Sequence, residues 1–209
     1  GNAQTRIALY DTKQVLQSME AYKLLVNFQS ALQTKSITFH IQPQCRASNG
    51  KIVGGEALAR WCKPDGEYVS PADFIPILEK YGIVTNLDQY IWEEVCRYQR
   101  SLIDQGIQPV PLSVNVSAID IHTIDVPSVF QALIRKYALP ADLIKIEITE
   151  TAYVNDSKKV RDTVKQCQQL GFLVLMDDFG SGYSSLNTLV EYDFDVLKLD
   201  MKFLRSLDH

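Results

Sequence analysis

Cysteine is scarce and scattered in this sequence. The chain of 209 residues has four, Cys45, Cys62, Cys96 and Cys167, and no Cys-x-x-Cys pair. Neither a disulfide scaffold nor a structural zinc is expected, and a reducing cytosol is the simplest compartment. No apolar run approaches the ~20 residues of a membrane-spanning helix, so no membrane contact is expected. The N-terminus lacks a basic patch followed by an apolar core, the mark of a signal peptide. Positive charge is not in excess either. Twenty-one basic residues stand against 25 acidic ones, a net −4, which argues against a tight, nonspecific grip on a nucleic-acid polymer. A small phosphate ligand held by a few local charges and metal ions stays open. No Gly/Ser linker, charge run or internal repeat divides the chain. Its 46% hydrophobic content is that of a globular protein and leaves disorder without support.

What is present is a helix and then an alternating pattern. Val15, Met19, Tyr22, Leu25, Phe28 and Leu32 recur every three or four positions, one stripe of an amphipathic helix. Residues 1–34 therefore read as an N-terminal helix and linker, and 35–209 as one α/β domain. Strands are expected at 37–42, 51–56, 112–117, 143–149, 173–177 and 195–200. Helices are expected at 71–102 with a break near Gly82, at 128–137, at 157–170, and a short one at 184–191. From residue 51 onward, strand and helix alternate, the pattern of parallel strands with crossover helices.

The faces of the strands decide between architectures. Leu112, Val114 and Val116 share one face; Ser113, Asn115 and Ser117 share the other. Ile144, Ile146 and Ile148 alternate with Lys145, Glu147 and Thr149, and Leu197 and Leu199 alternate with Lys198 and Asp200. A doubly wound sheet, covered by helices on both sides, needs two apolar faces. A (β/α) barrel needs one, because its inward residues near the C-terminal mouth meet a water-filled site. A barrel is expected.

Polar residues collect near successive strand ends: Glu56, Asn115, Glu147, Asp177 with Asp178, and Lys198. One acidic residue at a strand end is usually a solvated terminus or a helix cap, but five strands in a row repeat the placement. Carboxylates converging in a partly dry site repel one another, and divalent cations relieve that repulsion. An all-oxygen ligand set selects Mg²⁺ or Mn²⁺, with Ca²⁺ as an inhibitor or substitute. Asp177 and Asp178 would face opposite ways in a regular strand. They can serve one site only if the strand ends there, and Gly180 and Gly182 supply such a turn. An Asp shared by two metals suits a two-metal hydrolytic site.

These residues also carry a family resemblance. Gly55-Glu56-Ala57-Leu58-Ala59-Arg60-Trp61 resembles the signature of EAL domains, the phosphodiesterases of the bacterial messenger cyclic di-GMP. Ile41-Gln42-Pro43, Ser113-Val114-Asn115-Val116-Ser117 and Ile146-Glu147-Ile148-Thr149-Glu150 are similar to its successive strands. Asp177-Asp178-Phe179-Gly180-Ser181-Gly182-Tyr183-Ser184-Ser185-Leu186 is similar to its most diagnostic stretch, with Ser181 where Thr is frequent, and Lys198-Leu199-Asp200 follows. The resemblance implies a TIM-like barrel that hydrolyses cyclic di-GMP to the linear dinucleotide. It implies a first metal on Glu56, Asn115, Glu147 and Asp177, and a second on Asp177 and Asp178. Lys198 would orient or deprotonate the attacking water. Gln42, Arg60 and Asp200 would contact substrate, Arg60 at a phosphate, and Glu150 would brace the loop over 178–185, which also shapes a homodimer interface. A sensory or cyclase domain upstream is a further implication. About six of the eight expected strands are present, and the two that follow in the family carry another metal-ligating Glu and a Gln near the substrate. An incomplete barrel, impaired on its own, is expected. The alternative is a non-catalytic module that binds the nucleotide or a partner protein.

Overall fold

The structure is a computed structural model and describes residues 12–180 and 193–201. Its first two strands, β1 (Ile37–Cys45) and β2 (Ile52–Cys62), form an antiparallel hairpin that places Gln42 opposite Glu56. The hairpin is tight at Gly55, where an added Cβ would lie 2.5 Å from Ile41 Cγ2. Both strands outrun their expected limits. β2 in particular continues from Glu56 to Cys62, because Ala57 and Trp61 alternate onto the core at 3% and 5% exposure. A two-residue strand, β3 (Tyr68–Val69), adds to the end of β2. Thereafter β4 (Leu112–Val116), β5 (Ile144–Thr149), β6 (Leu173–Phe179) and β7 (Val196–Leu199) join in order, each parallel to the strand before it in the sheet.

Helices cover one face. After α1 (Thr12–Gln33) come α2 (Pro71–Lys80) and α3 (Val84–Asp104), which are separated at Gly82. That glycine has φ +69°, a conformation that side chains disfavour. α5 (Val126–Lys136) and α7 (Ser157–Gln169) match their expected positions. Two short helices, α4 (Ala118–Thr123) and α6 (Glu150–Asn155), escape the periodicity because they are too short to show one. Their start signals are side-chain caps at the strand ends: Ser117 Oγ accepts from Asp120 N (3.1 Å) and Thr149 Oγ1 from Ala152 N (3.3 Å). The helix expected at 184–191 lies outside the described residues. No described helix is long and apolar enough to cross a membrane.

The apolar strand faces do what their alternation requires. Leu112, Val114, Val116, Ile144, Ile146 and Ile148 are buried in one core with Trp92, Val95, Phe130, Val160 and Val164. α1 joins through Phe28, whose ring meets Trp61 edge-on, and Trp61 in turn meets Phe74. Here the expected stripe needs correcting: Met19 and Tyr22 are exposed, and Ala21, Phe28 and Ala31 form the buried line with Leu24, Leu25 and Leu32 packed beside it. Two apolar lines of equal period run along this helix, and period alone does not choose between them. At the opposite end of the strands from the polar cluster, the buried Gln99 donates from Nε2 to Val110 O (2.9 Å) and Leu143 O (3.0 Å), tying the entries of β4 and β5. All four cysteines are free, and burial pushes the Cys96 and Cys167 thiols up to about 12, so both are inert at neutral pH.

Among the described residues β1 pairs only with β2, and β7 only with β6. The sheet is therefore not closed, and the architecture is an incomplete, TIM-like (β/α) barrel.

Candidate metal centre

The polar face of β4, β5 and β6 converges with that of β2. Parallel register sets Glu56 beside Ser113, Asn115 beside Glu147, and Thr149 beside Asp177. Carboxylate oxygens of Glu56, Glu147 and Asp177 come within 4.8 Å of one another. Asn115 Nδ2 donates to Glu56 Oε1 (3.3 Å), which puts the amide at the edge of this group. Four of the five expected ligands thus meet at one place.

At Asp178 the strand departs from the expected path. β6 does not end at Asp177 but continues to Phe179. The β6–β7 register slips between Met176 and Phe179, and Asp178 takes φ +57°. This bulge, with an Asp in the left-handed region, breaks the alternation without ending the strand. Asp178 is exposed and is not among the three clustered carboxylates. Burial and the charges of Asp177, Asp200 and Glu56 raise its pKa.

Lys198 reaches in from β7. Its Nζ donates to Glu147 Oε2 (2.6 Å) and Glu56 Oε2 (2.8 Å) and lies 3.2 Å from Asp177 Oδ1. Burial alone would lower its pKa, but the two hydrogen bonds and the carboxylate charges outweigh burial, and the net shift is upward. The surrounding carboxylates favour the charged form of Lys198, which is suited to donate hydrogen bonds. Glu147 is fully buried, and burial holds its pKa up despite Lys198 and Ser113. Its Oε1 has no hydrogen-bond partner. A buried, unsatisfied carboxylate oxygen next to two more carboxylates is the donor set that a hard cation takes.

The remaining expected residues surround this centre. Gln42 is exposed on β1, cross-strand from Glu56. Arg60 is half-buried on β2, with Nη1 on Ala59 O (2.8 Å). Asp200 follows β7, its N–H bonded to Phe179 O (3.0 Å). Glu150, buried at the start of α6, accepts from Gly180 N at 2.8 Å, the first amide of the expected braced turn; residues 181–185 lie outside the described residues.

Two positions that sequence reading did not single out belong to the setting. Trp92 of α3 donates from Nε1 to Asn115 O (2.9 Å). Asp88, one turn earlier, lines a small cavity with Arg60 and Asn115. A periodicity argument sees both only as parts of a packing helix.

Comparison with known proteins places this geometry. A family model for the EAL domain matches residues 26–209. The chain is 34% identical over 92% of its length to the bifunctional diguanylate cyclase/cyclic di-GMP phosphodiesterase MucR of Pseudomonas aeruginosa. It is 33% identical over 87% of its length to the "Probable cyclic di-GMP phosphodiesterase PdeB" of Escherichia coli K12. It spans only 28% and 35% of those two relatives. A solved structure of the PaMucR phosphodiesterase in complex with c-di-GMP superposes with a TM-score of 0.80 at 30% identity, covering 90% of this chain and 76% of that one.

Proposed function

The chain belongs to the EAL domain family, and from that premise we propose that it is the greater part of a metal-dependent phosphodiesterase domain that opens cyclic di-GMP to the linear dinucleotide. One observation carries the reading: the buried, unpartnered Glu147 Oε1 within a cluster completed by Glu56, Asp177 and Asn115. Those four would hold a first divalent ion, Mg²⁺ or Mn²⁺, and Asp177 with Asp178 a second. Such ions supply positive charge at the phosphoryl oxygens and a water that is nucleophilic at neutral pH. The chain's own groups do the positioning. Lys198 donates hydrogen bonds that orient the attacking water. Arg60 offers a planar, multidentate donor to a phosphate. Gln42 and Asp200 flank the substrate, and Glu150 holds the Gly180 amide and with it the loop that follows. The open sheet supports the further view that two more strands complete the domain and that this stretch alone is impaired. Dimerisation through that loop and an upstream sensory or cyclase domain belong to the same proposal, and the free cysteines fit a cytosolic setting.

A second reading, a receptor that binds the nucleotide without hydrolysis, has one observation in its favour. Lys198 already pairs with all three carboxylates from within. The test is turnover of cyclic di-GMP by the protein that carries this chain, with Mg²⁺ or Mn²⁺ and with EDTA. Glu147→Gln should reduce turnover at least ~100-fold, since even groups behind the ligands cost 10–100-fold. Binding of the nucleotide with no metal-dependent turnover would favour the receptor.

Glu150 gives a finer test. Glu150→Ala should lower turnover while Mn²⁺ binding at the first site persists. A purely local role at the start of α6 would cost ~0.5–2 kcal/mol of stability and no chemistry. Melting temperature and turnover measured side by side separate the two, and unchanged turnover would retire the brace.

A further inference from the structure

Outside the metal centre, one pair of groups has no satisfactory electrostatic account if both are charged. Asp120 of α4 is completely buried. Its Oδ2 accepts from Ser117 N and Ser117 Oγ, both at 2.8 Å. Its Oδ1 has no partner. The side of α3 that meets α4 carries another carboxylic acid: Asp88, part-buried, stands one turn from Thr85, as Asp120 stands one turn from Thr123, and the charge of Asp120 is felt at Asp88. The two helices approach closely here, with Thr85 Oγ1 3.4 Å from Thr123 Oγ1 just beside the pair.

The charges around Asp88 make full ionisation worse. Glu79 of α2 adds a third negative charge, and burial, Asp120 and Glu79 together raise the Asp88 pKa well above the ordinary carboxylate range. Arg60 lines the same cavity from β2, but its Nη1 is turned onto Ala59 O. His122, the other titratable group on α4, pairs with Asp156 at 3.9 Å. Two carboxylates facing each other in a dry site cannot both ionise, and one proton between them removes the repulsion and supplies the missing donor.

We propose that Asp88 and Asp120 hold a single proton between their carboxyls, and that this O–H···O bond fastens α3 to the β4–α4 corner that carries Asn115. The corner is already held from α3 by the Trp92 indole on Asn115 O and from within by the Ser117–Asp120 capping box. The shared proton is the third fastening. When it leaves to solvent at high pH, Asp120 keeps its bonds to Ser117 and is repelled by Asp88. The latch therefore works at low and neutral pH and opens as pH rises. The sign follows from linkage: a carboxyl with a raised folded pKa contributes fully below the unfolded value of about 3.9, and the contribution is lost as pH rises through the folded value.

Infrared spectroscopy of the chain reads the proton directly. At pH 7 a carboxylic C=O stretch is expected that disappears in both Asp120→Asn and Asp88→Asn. Each variant supplies an N–H donor in place of the proton and preserves the fastening. Melting temperature followed from pH 5 to pH 9 should fall by roughly 2–4 °C in the natural sequence, levelling off as the band is lost, and the two Asn variants should lack this fall. The band in the natural sequence needs no variant to fold. Its absence at pH 7 overturns the proposal. So does a band that both substitutions leave unchanged, or an equal fall of melting temperature in Asp120→Asn. A rise of melting temperature with Mg²⁺ or Ca²⁺ that Asp120→Asn abolishes would put a cation, not a proton, between the two acids, and that too overturns it.

Discussion

Lys198→Met should destabilise the chain by about 3–5 kcal/mol in metal-free buffer, and Mn²⁺ or Mg²⁺ should return most of that loss. Methionine keeps the length and packing of the stem and removes only the ammonium. Glu147, Glu56 and Asp177 then face one another uncompensated, Glu147 with no exposed side-chain surface at all. In a chain of this size the loss corresponds to a melting temperature lower by roughly 6–20 °C. A divalent ion bound among the same oxygens replaces the missing charge, so the variant should gain more from metal than the natural sequence does. Thermal melts of both proteins across a metal titration test this. An equal metal response in the two would mean that Lys198 and the cation do not share these carboxylates.

The second large effect is expected at Trp92, through packing and one hydrogen bond. Its indole N–H satisfies the carbonyl of Asn115, its ring lies 4.6 Å from that of Phe130, and the residue is 1% exposed. Trp92→Phe keeps an aromatic ring in the core and deletes the donor, leaving a carbonyl unpaired at a cost of about 1–3 kcal/mol. Trp92→Ala adds a cavity and should cost about 3–5 kcal/mol. Urea unfolding at constant m-value reads both. If Trp92→Phe is neutral while Trp92→Ala is not, the indole is packing alone and does not hold the strand end at Asn115.

Of the candidate site, the sequence by itself determined the strand face that its residues share. Alternation in β4 and β5 is a local property, set by the pleat and readable over five or six positions, so Asn115 and Glu147 were bound to lie on the polar side once Val114 and Ile146 lay on the apolar one. The order of strand and crossover helix is equally local, and it implied parallel strands whose ends meet at one mouth.

Only the tertiary structure decided the rest, because the rest depends on contacts between residues far apart in the chain. Lys198 is 142 positions from Glu56, its ion-pair partner, and no periodicity links the two. That β6 would run on past Asp177 through a bulge at Asp178, and not end there, depends on a register slip against β7. That Met19 and Tyr22 of α1 would face outward depends on Trp61, which selects the phase carrying Phe28. Asp88 reads as an ordinary polar residue of a helix, Asp120 falls in a helix too short to show a period, and their meeting requires α3 and α4 to pack side by side. Local pattern follows from the geometry of one backbone segment. Which distant groups share one dry pocket follows only from the packing of the strands and helices that bring them together.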